Sequence, residues 1–523
     1  HVGLERFTRH RQRDEIRAAL AGEGIALSAG ELSVLCRRFV DYLAALHRAR
    51  APQLRAALEA DGGWPMHLDA TGEDGRGTLL VVYAGWRRWV LGGWKLSTER
   101  AELVLPRLHE TAGLFGAPCA IMRDLGRAVR EAAATFIRER NLRIPDLACH
   151  LHFLRDLGKD LMRPGHDGLR EQFRRAEVLP RLRALTRDLG RHLGARLAPA
   201  RDELVRWQGL ADQGHRLPEG NAGLAVVRGV TQWVLDFPSD GYDQGFPFDV
   251  PMLDLLDRCR LVARAADAFL RTPPRDAQVR KACERLGRIL VPVTSEVPFE
   301  QQGRRLRARC ELFQQLRRAL RLDPRTESPS SRATVVDAEQ LDQLHRAVDE
   351  LANHLHRQRP QCGPAQDLRA AIDLILEHLA RHGPTLWGHE LRLSGDRVRL
   401  VDRTNNLLEG LFHALKHGER LRSGRKVLTQ DLEHLPPDAV LAMNLAHADY
   451  VQILCGTLEQ LPAAFAELDG RGEGPGRRRR GEPNVDDDQM VSASLPTADR
   501  KLVRTDEMGD RIRAAAASRA PRR

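Results

Sequence analysis

Between residues 64 and 163 the spacing of apolar positions changes twice. Met66-His67-Leu68-Asp69-Ala70-Thr71 alternates apolar with polar, the mark of a half-buried strand. A glycine-bounded turn over Gly72–Gly77 follows. Thr78–Tyr83 (TLLVVY) and Trp89–Leu96 (WVLGGWKL) then predict two more strands, with the Gly92-Gly93 pair read as a bulge or hairpin bend. A helical period runs from about Thr98 to Phe115 and stops at Gly116 and Pro118. Cys119–Arg123 is a short apolar strand ending at Asp124, a helix is expected from about Gly126 to Arg140, a strand near Leu147–Cys149, and a helix from Leu151. Residues 1–60 carry the helical period: a short stripe over Glu15–Leu20, glycine breaks at 22 and 24, then a helix to about Leu46. Ser28 and Glu31 are spaced as its capping box. From 165 to 385 the pattern is helical and Arg-rich, interrupted by the loop Asp236–Asp249 and by a Pro/Ser-rich linker at Asp323–Ser331.

Three strands followed by alternating helices and strands is the order of a ribonuclease H-like mixed sheet flanked by helices. The expected organisation is a helical segment at 1–60, a first part of the α/β core at 61–163, an all-helical insertion at 164–395, a closing part of the core at 396–468, and a disordered tail at 469–523. The tail contains Arg477–Arg480 and Asp486–Asp488, with a short helix expected near Arg511–Ser518. Helix, glycine turn, helix in 1–60 has the outline of a helix-turn-helix, shared with plain helical hairpins.

Composition narrows the partner. The 523 residues hold 82 Lys+Arg against 71 Asp+Glu, a formal charge of +11, carried mostly by arginine, whose fork matches phosphate oxygens. No run is long and apolar enough to suggest a membrane span. The start has neither an apolar leader nor a Met, so no signal peptide is expected and the N-terminus reads as incomplete. Eight scattered cysteines without a CxxC pair argue against a zinc ribbon or a disulfide scaffold and fit a reducing, cytoplasmic setting. The Asp236–Asp249 loop lacks the spacing and closing Glu of a calcium loop.

Three carboxylates carry candidate chemistry. Asp69 lies on the polar face of the first strand, beside His67 and Thr71, and Asp124 ends the fourth. Those strands are neighbours in such sheets, and two carboxylates at one edge repel unless a cation intervenes. Mg²⁺ is the natural partner, with Mn²⁺ as substitute. The third candidate is Glu409 in Asn405–Lys416, a helix whose apolar stripe is 407, 408, 411, 412 and 415. Glu409 falls opposite it, with His413, Lys416 and Arg420, and Thr404 or Asn405 is the expected N-cap. Each of these carboxylates has a bland alternative as a turn residue or a surface ion-pair partner.

The segments HLDAT with Asp69, IMRDLGRAV with Asp124, Cys149-His150-Leu151-His152 and DRTNNLLEGLFHALK with Glu409 resemble, in order, the motifs of DDE transposases of the Mutator-like and bacterial insertion-sequence group. The resemblance covers about residues 60–430. It implies Asp69, Asp124 and Glu409 as catalytic metal ligands for two Mg²⁺ ions. It also implies in-line attack on DNA by water and then by a 3′-hydroxyl, and double-stranded DNA partners (element ends and target). A homo-oligomer in the DNA complex and nucleoid association follow from the same likeness. Lys416, Arg420, Arg425 and His413 would contact DNA. Cys149 and His152 match a C-x-x-H signature. Two ligands make no tetrahedral zinc site, so they read as packing beneath the active site, with ligation the alternative. Trp207 and Trp233 are the insertion aromatics that such enzymes stack on a base, or else core residues. Two other functions stay open: a non-catalytic DNA-binding protein derived from a decayed or domesticated element, and a junction-resolving nuclease of the same fold.

Overall fold

The computed structural model describes residues 1–194, 217, 219–239, 241, 245–322, 337–363, 365–393 and 397–475. By its contacts the chain divides after Gly474, and only Pro475 of the remainder is described. The linker Asp323–Ser331, Trp207 and the tail from 476, with its expected 511–518 helix, lie outside the described residues.

Five strands form one mixed sheet: β1 (Pro65–Glu73), β2 (Arg76–Ala84), β3 (Trp89–Lys95), β4 (Ala120–Arg123) and β5 (Asp146–Ala148), in the order β3-β2-β1-β4-β5. The first three run antiparallel, joined at β1–β2 by Asp74-Gly75, both at positive φ, as a two-residue hairpin turn demands. The turn is therefore tighter than the 72–77 span expected. β4 and β5 run parallel to β1, each reached through a helix: α5 (Ala101–Phe115) before β4 and α6 (Arg127–Glu139) before β5.

Before the sheet come α1 (Val2–Phe7), α2 (Arg13–Gly22), α3 (Ala29–Ala49) and α4 (Ala51–Ala60). Ser28 caps α3 by accepting from the Glu31 N–H, and the Glu31 carboxylate accepts from the Ser28 N–H at 2.8 Å. Helix α2 meets α3 through Ile16, Leu20 and Leu32. The rest of α3 buries Phe39, Val40, Leu43 and Leu46 in the same core as Met66, Leu68, Leu80 and Ile121 of the sheet. The expected helical segment at 1–60 thus packs through α3 and α4 on the sheet's own core, while α2 joins the start of α3 in a smaller cluster.

A second core is helical. It gathers α7 (His150–Arg175), α8 (Val178–Leu193), α9 (Gly220–Leu235), α10 (Pro251–Leu270), α11 (Ala277–Ser295), α12 (Val297–Ala319), α13 (Ala338–Gln358) and α14 (Gln366–Leu386) around residues such as Phe153, Leu161, Val262, Leu286, Phe313 and Ile375. The expected boundary at 164 falls inside α7, which continues past Pro164, so the helical body begins at about 150. Nor is the stretch to 395 wholly helical, because β6 (Glu390–Arg392) pairs with β7 (Val398–Leu400) in a hairpin. Beyond it α15 (Asn406–Ser423), α16 (Thr429–His434), a 3-10 segment (Pro437–Ala446), α17 (Ala448–Leu454) and α18 (Leu461–Gly470) return to the first core through Leu408, Phe412, Val440, Tyr450 and Leu468. The expected tail start at 469 therefore lies within the last turn of α18.

The 3-10 segment covers the β3 edge. Asn444 accepts the Val90 N–H at 2.7 Å and donates back to the Val90 carbonyl at 2.8 Å, giving the edge strand the partner it lacks. Glycine at 93 is what permits the approach, since a Cβ there would stand 2.6 Å from Val440 Cγ1 and 2.8 Å from the Pro437 carbonyl oxygen. The bulge itself falls at Leu91, between the pairs Val82–Gly92 and Tyr83–Val90. Gly93→Ala is expected to lower the folding free energy by about 1–3 kcal/mol through overpacking, read as a shifted urea midpoint.

Candidate active site

Register brings the first two carboxylates together. Leu68 of β1 is paired with Arg123 of the parallel strand β4, so Asp69 and Asp124 are the next residues along neighbouring strands. Alternation sends Met66 and Leu68 into the first core and leaves His67, Asp69 and Thr71 on the opposite face. Asp69 Oδ1 accepts the Ala70 N–H at 2.8 Å, and Asp124 Oδ1 accepts the Gly126 N–H at 3.0 Å at the start of α6. Behind them, Arg123 is fully buried and paired with Asp146 of β5 at 2.7 Å, which fixes the strand end from which Asp124 departs.

Charge at this edge is not balanced. Burial, then Asp124, raises the Asp69 carboxyl from an ordinary 3.8 to about 8, with smaller upward contributions from Glu409 and Glu99 against the Ala70 N–H. Asp124 is raised as well, first by burial and further by Glu99 and Asp156, although the Gly126 N–H and Arg123 pull the other way. Burial likewise raises Glu409, opposed by Arg155. Carboxylates held together without enough cationic compensation are what a divalent cation relieves, and their oxygens suit Mg²⁺, which takes few protein ligands and keeps its waters.

The third carboxylate is engaged elsewhere. Glu409 Oε1 lies 3.6 Å from His152 Nε2 and 3.7 Å from Arg155 Nη2, both on α7. Burial, with Arg155 and Lys159 nearby, lowers the His152 imidazole to about 4, so it is neutral near pH 7 and its Nε2 lies 3.3 Å from Arg155 Nη1. Arg155 is therefore the cation that answers Glu409. Among the described residues no three His, Cys, Asp or Glu side chains stand close enough to enclose an ion. Asp69 is electrostatically coupled to both other carboxylates, but the trio is not drawn into one ligand set.

The remaining expected residues divide. Lys416 is half-buried and donates to the Gly72 carbonyl at 2.8 Å, which ties its ammonium to the end of β1. His413, Arg420 and Arg425 are exposed. His413 stacks on His417, Arg420 reaches the Lys426 carbonyl at 3.4 Å, and Arg425 pairs with Asp431 at 3.5 Å. Cys149 is fully buried with its thiol pushed up to about 12, and its Sγ accepts the Asn405 N–H at 3.2 Å. His152 is not beneath the carboxylates but beside Glu409. Trp233 is half-buried under the Arg258 guanidinium, 4.6 Å from its ring centre. In the loop before α10, Phe237 and Phe248 are buried and Asp249 accepts the Gly245 N–H at 3.0 Å, while Asp240 and Asp243 lie outside the described residues.

Two participants escaped the sequence reading. Arg155 stands three residues after His152, one helical turn on, a spacing that would have placed both on one face of α7. Asn405 was expected to cap α15, yet its side chain makes no cap hydrogen bond and reaches β1 instead.

Compared with models of protein families and with curated proteins, the chain matches none. No described helix is long and apolar enough to cross a membrane.

Proposed function

We propose that the chain is a DDE-type transposase, a ribonuclease H-like enzyme that cleaves DNA and transfers the strand with Mg²⁺. One observation carries the reading: Asp69 and Asp124 leave adjacent parallel strands at neighbouring positions, both with raised carboxyls, and Glu409 is near enough to add to the rise at Asp69. The order β3-β2-β1-β4-β5, with a helical body between Asp124 and Glu409, supports the same reading.

In this reading Asp69 and Asp124 would hold the cation, with Glu409, now beside Arg155, as the third residue that would complete the set. The chemistry Mg²⁺ supplies at such a site is activation of the attacking oxygen and stabilisation of the leaving one. The chain's own work is to present carboxyl oxygens at a fixed edge, to keep His152 neutral beside Glu409, and to meet DNA phosphates through exposed cations such as Arg420 and Arg425. The partners are double-stranded element ends and target DNA, engaged by more than one copy of the chain in the nucleoid.

A second reading, a DNA-binding protein without catalysis, draws on the engagement of Glu409 by Arg155 and His152. The deciding experiment incubates the protein with Mg²⁺ and DNA carrying the terminal repeats that flank its gene, then maps nicks. Nicks at the repeat ends support the enzyme. Binding without nicks, in Mg²⁺ and in Mn²⁺, supports the second reading. In either case affinity for duplex DNA is expected to fall steeply with salt as counterions are released, and a flat response would remove the DNA surface from both.

A further inference from the structure

Asn405 has no exposed surface, and every polar atom of its side chain is engaged. Its Oδ1 lies 3.0 Å from His67 Nδ1. Because an amide oxygen only accepts, the imidazole proton sits on Nδ1, and the amide orientation is settled: Nδ2 faces the Leu68 carbonyl at 3.2 Å and Asp69 Oδ2 at 3.4 Å. The main chain of the same residue works in two other directions. Its N–H goes to Cys149 Sγ, and its carbonyl accepts the Glu409 N–H at 3.0 Å, closing the first turn of α15.

One residue therefore touches His67, Leu68 and Asp69 of β1, the first residue before α7, and the turn that carries Glu409. We propose that Asn405 is a positioning residue that sets Asp69 and the Glu409 helix in a single register, with His67 as the clamp that orients its amide. Its side chain would otherwise cap α15. The cap is given up, and the bonds run across some 338 residues of chain instead. Such a bracket matters where two carboxylates on separate elements have to meet one cation, since small errors in ligand placement cost occupancy. The role rests on the transposase reading, while the bracket itself is a structural claim that stands or falls separately.

The test uses the full chain and Asn405→Leu, which keeps the volume and loses the hydrogen bonds, with Asn405→Ser as the substitute should the leucine fail to fold. Hydrogen exchange is followed in peptides covering residues 65–73 and 404–412, Mn²⁺ binding by electron paramagnetic resonance without DNA, and plasmid nicking alongside plasmid binding. Exchange is expected to quicken at least about tenfold in both segments together while α5 and α10 keep wild-type rates. Mn²⁺ affinity should fall about tenfold or more, and nicking should drop with plasmid affinity unchanged. Wild-type exchange in either segment overturns the bracket, and so does wild-type Mn²⁺ affinity in a variant whose two segments have loosened. A wild-type chain that neither binds Mn²⁺ nor nicks DNA overturns the transposase reading instead, and the exchange comparison still decides whether Asn405 joins the two elements.

Discussion

Asp69→Asn and Asp124→Asn are each expected to lower Mg²⁺-dependent strand cleavage by about 10³-fold or more, while affinity for duplex DNA stays within about threefold of wild type. The asparagine keeps the shape and the hydrogen bonds from Ala70 or Gly126, so the strand edge stays in place. What it removes is one negative charge and one hard oxygen ligand. Glu409→Gln should behave similarly, with a difference. Its carboxylate is already answered by Arg155 at 3.7 Å, so part of its charge is offset before any cation arrives and its loss should cost less than that of either aspartate. Nick mapping on a repeat-bearing plasmid measures all three. A fully active Asp69→Asn protein would remove Asp69 from the reaction, and the same holds for each of the other two.

The same substitution is expected to stabilise the chain when no divalent cation is present. Asp69 is raised from 3.8 to about 8 in the folded protein, so between those values the folded chain holds a proton that the unfolded chain has lost. Its contribution is fully present below about pH 4 and is lost as pH rises through 8. Asp69→Asn escapes that loss. At pH 9 in chelator the variant should be more stable than wild type by something on the order of 3 kcal/mol, and at pH 4 the two should converge. Added Mg²⁺ should reverse the order at pH 9, because only the wild-type carboxylate gains from the cation. Denaturation midpoints at the two pH values, with and without Mg²⁺, give the answer. A variant no more stable than wild type at pH 9 in chelator would mean that the edge is better solvated or compensated than its burial indicates. His67 and His47 act with the opposite sign. Burial lowers both to about 4, so their contribution is complete above 6.5 and is lost as pH falls through 4, which gives the chain an acid limb of instability as well.

The sheet was legible because its signals are local. The alternation at 66–71 set His67, Asp69 and Thr71 on one face, the glycines at 72–77 marked a turn though not its two-residue Asp74-Gly75 form, and the Ser28/Glu31 spacing marked the start of α3. Other features had no local signature. β6 and β7 have three residues each, too few for a period to show. The expected boundary between 163 and 164 falls at Pro164, yet α7 runs through it because its apolar face stays buried on both sides, at Leu161 and Leu169. The uses of Asn405, Arg155 and Lys416 depend on partners far away in the chain or on another element, where spacing says nothing. Asn405 before a helix looks like a cap whichever way its amide turns, and Lys416 on the polar face of α15 looks solvated until the end of β1 arrives beneath it.

Helix α7 begins at the candidate site and runs on along the helical body. Cys149 holds Asn405 just before it, Arg155 holds Glu409 from its second turn, and its later residues are walls of the second core. On the return, the buried Arg403 donates to the carbonyls of Leu320 and Arg321 at the end of α12, while its own carbonyl receives the His150 N–H. The helical body is therefore not a cassette that can be cut out and its ends rejoined. Deleting it would strip away the groups that orient Glu409, and a single residue inserted after Arg155 would turn everything beyond by about 100° relative to the sheet.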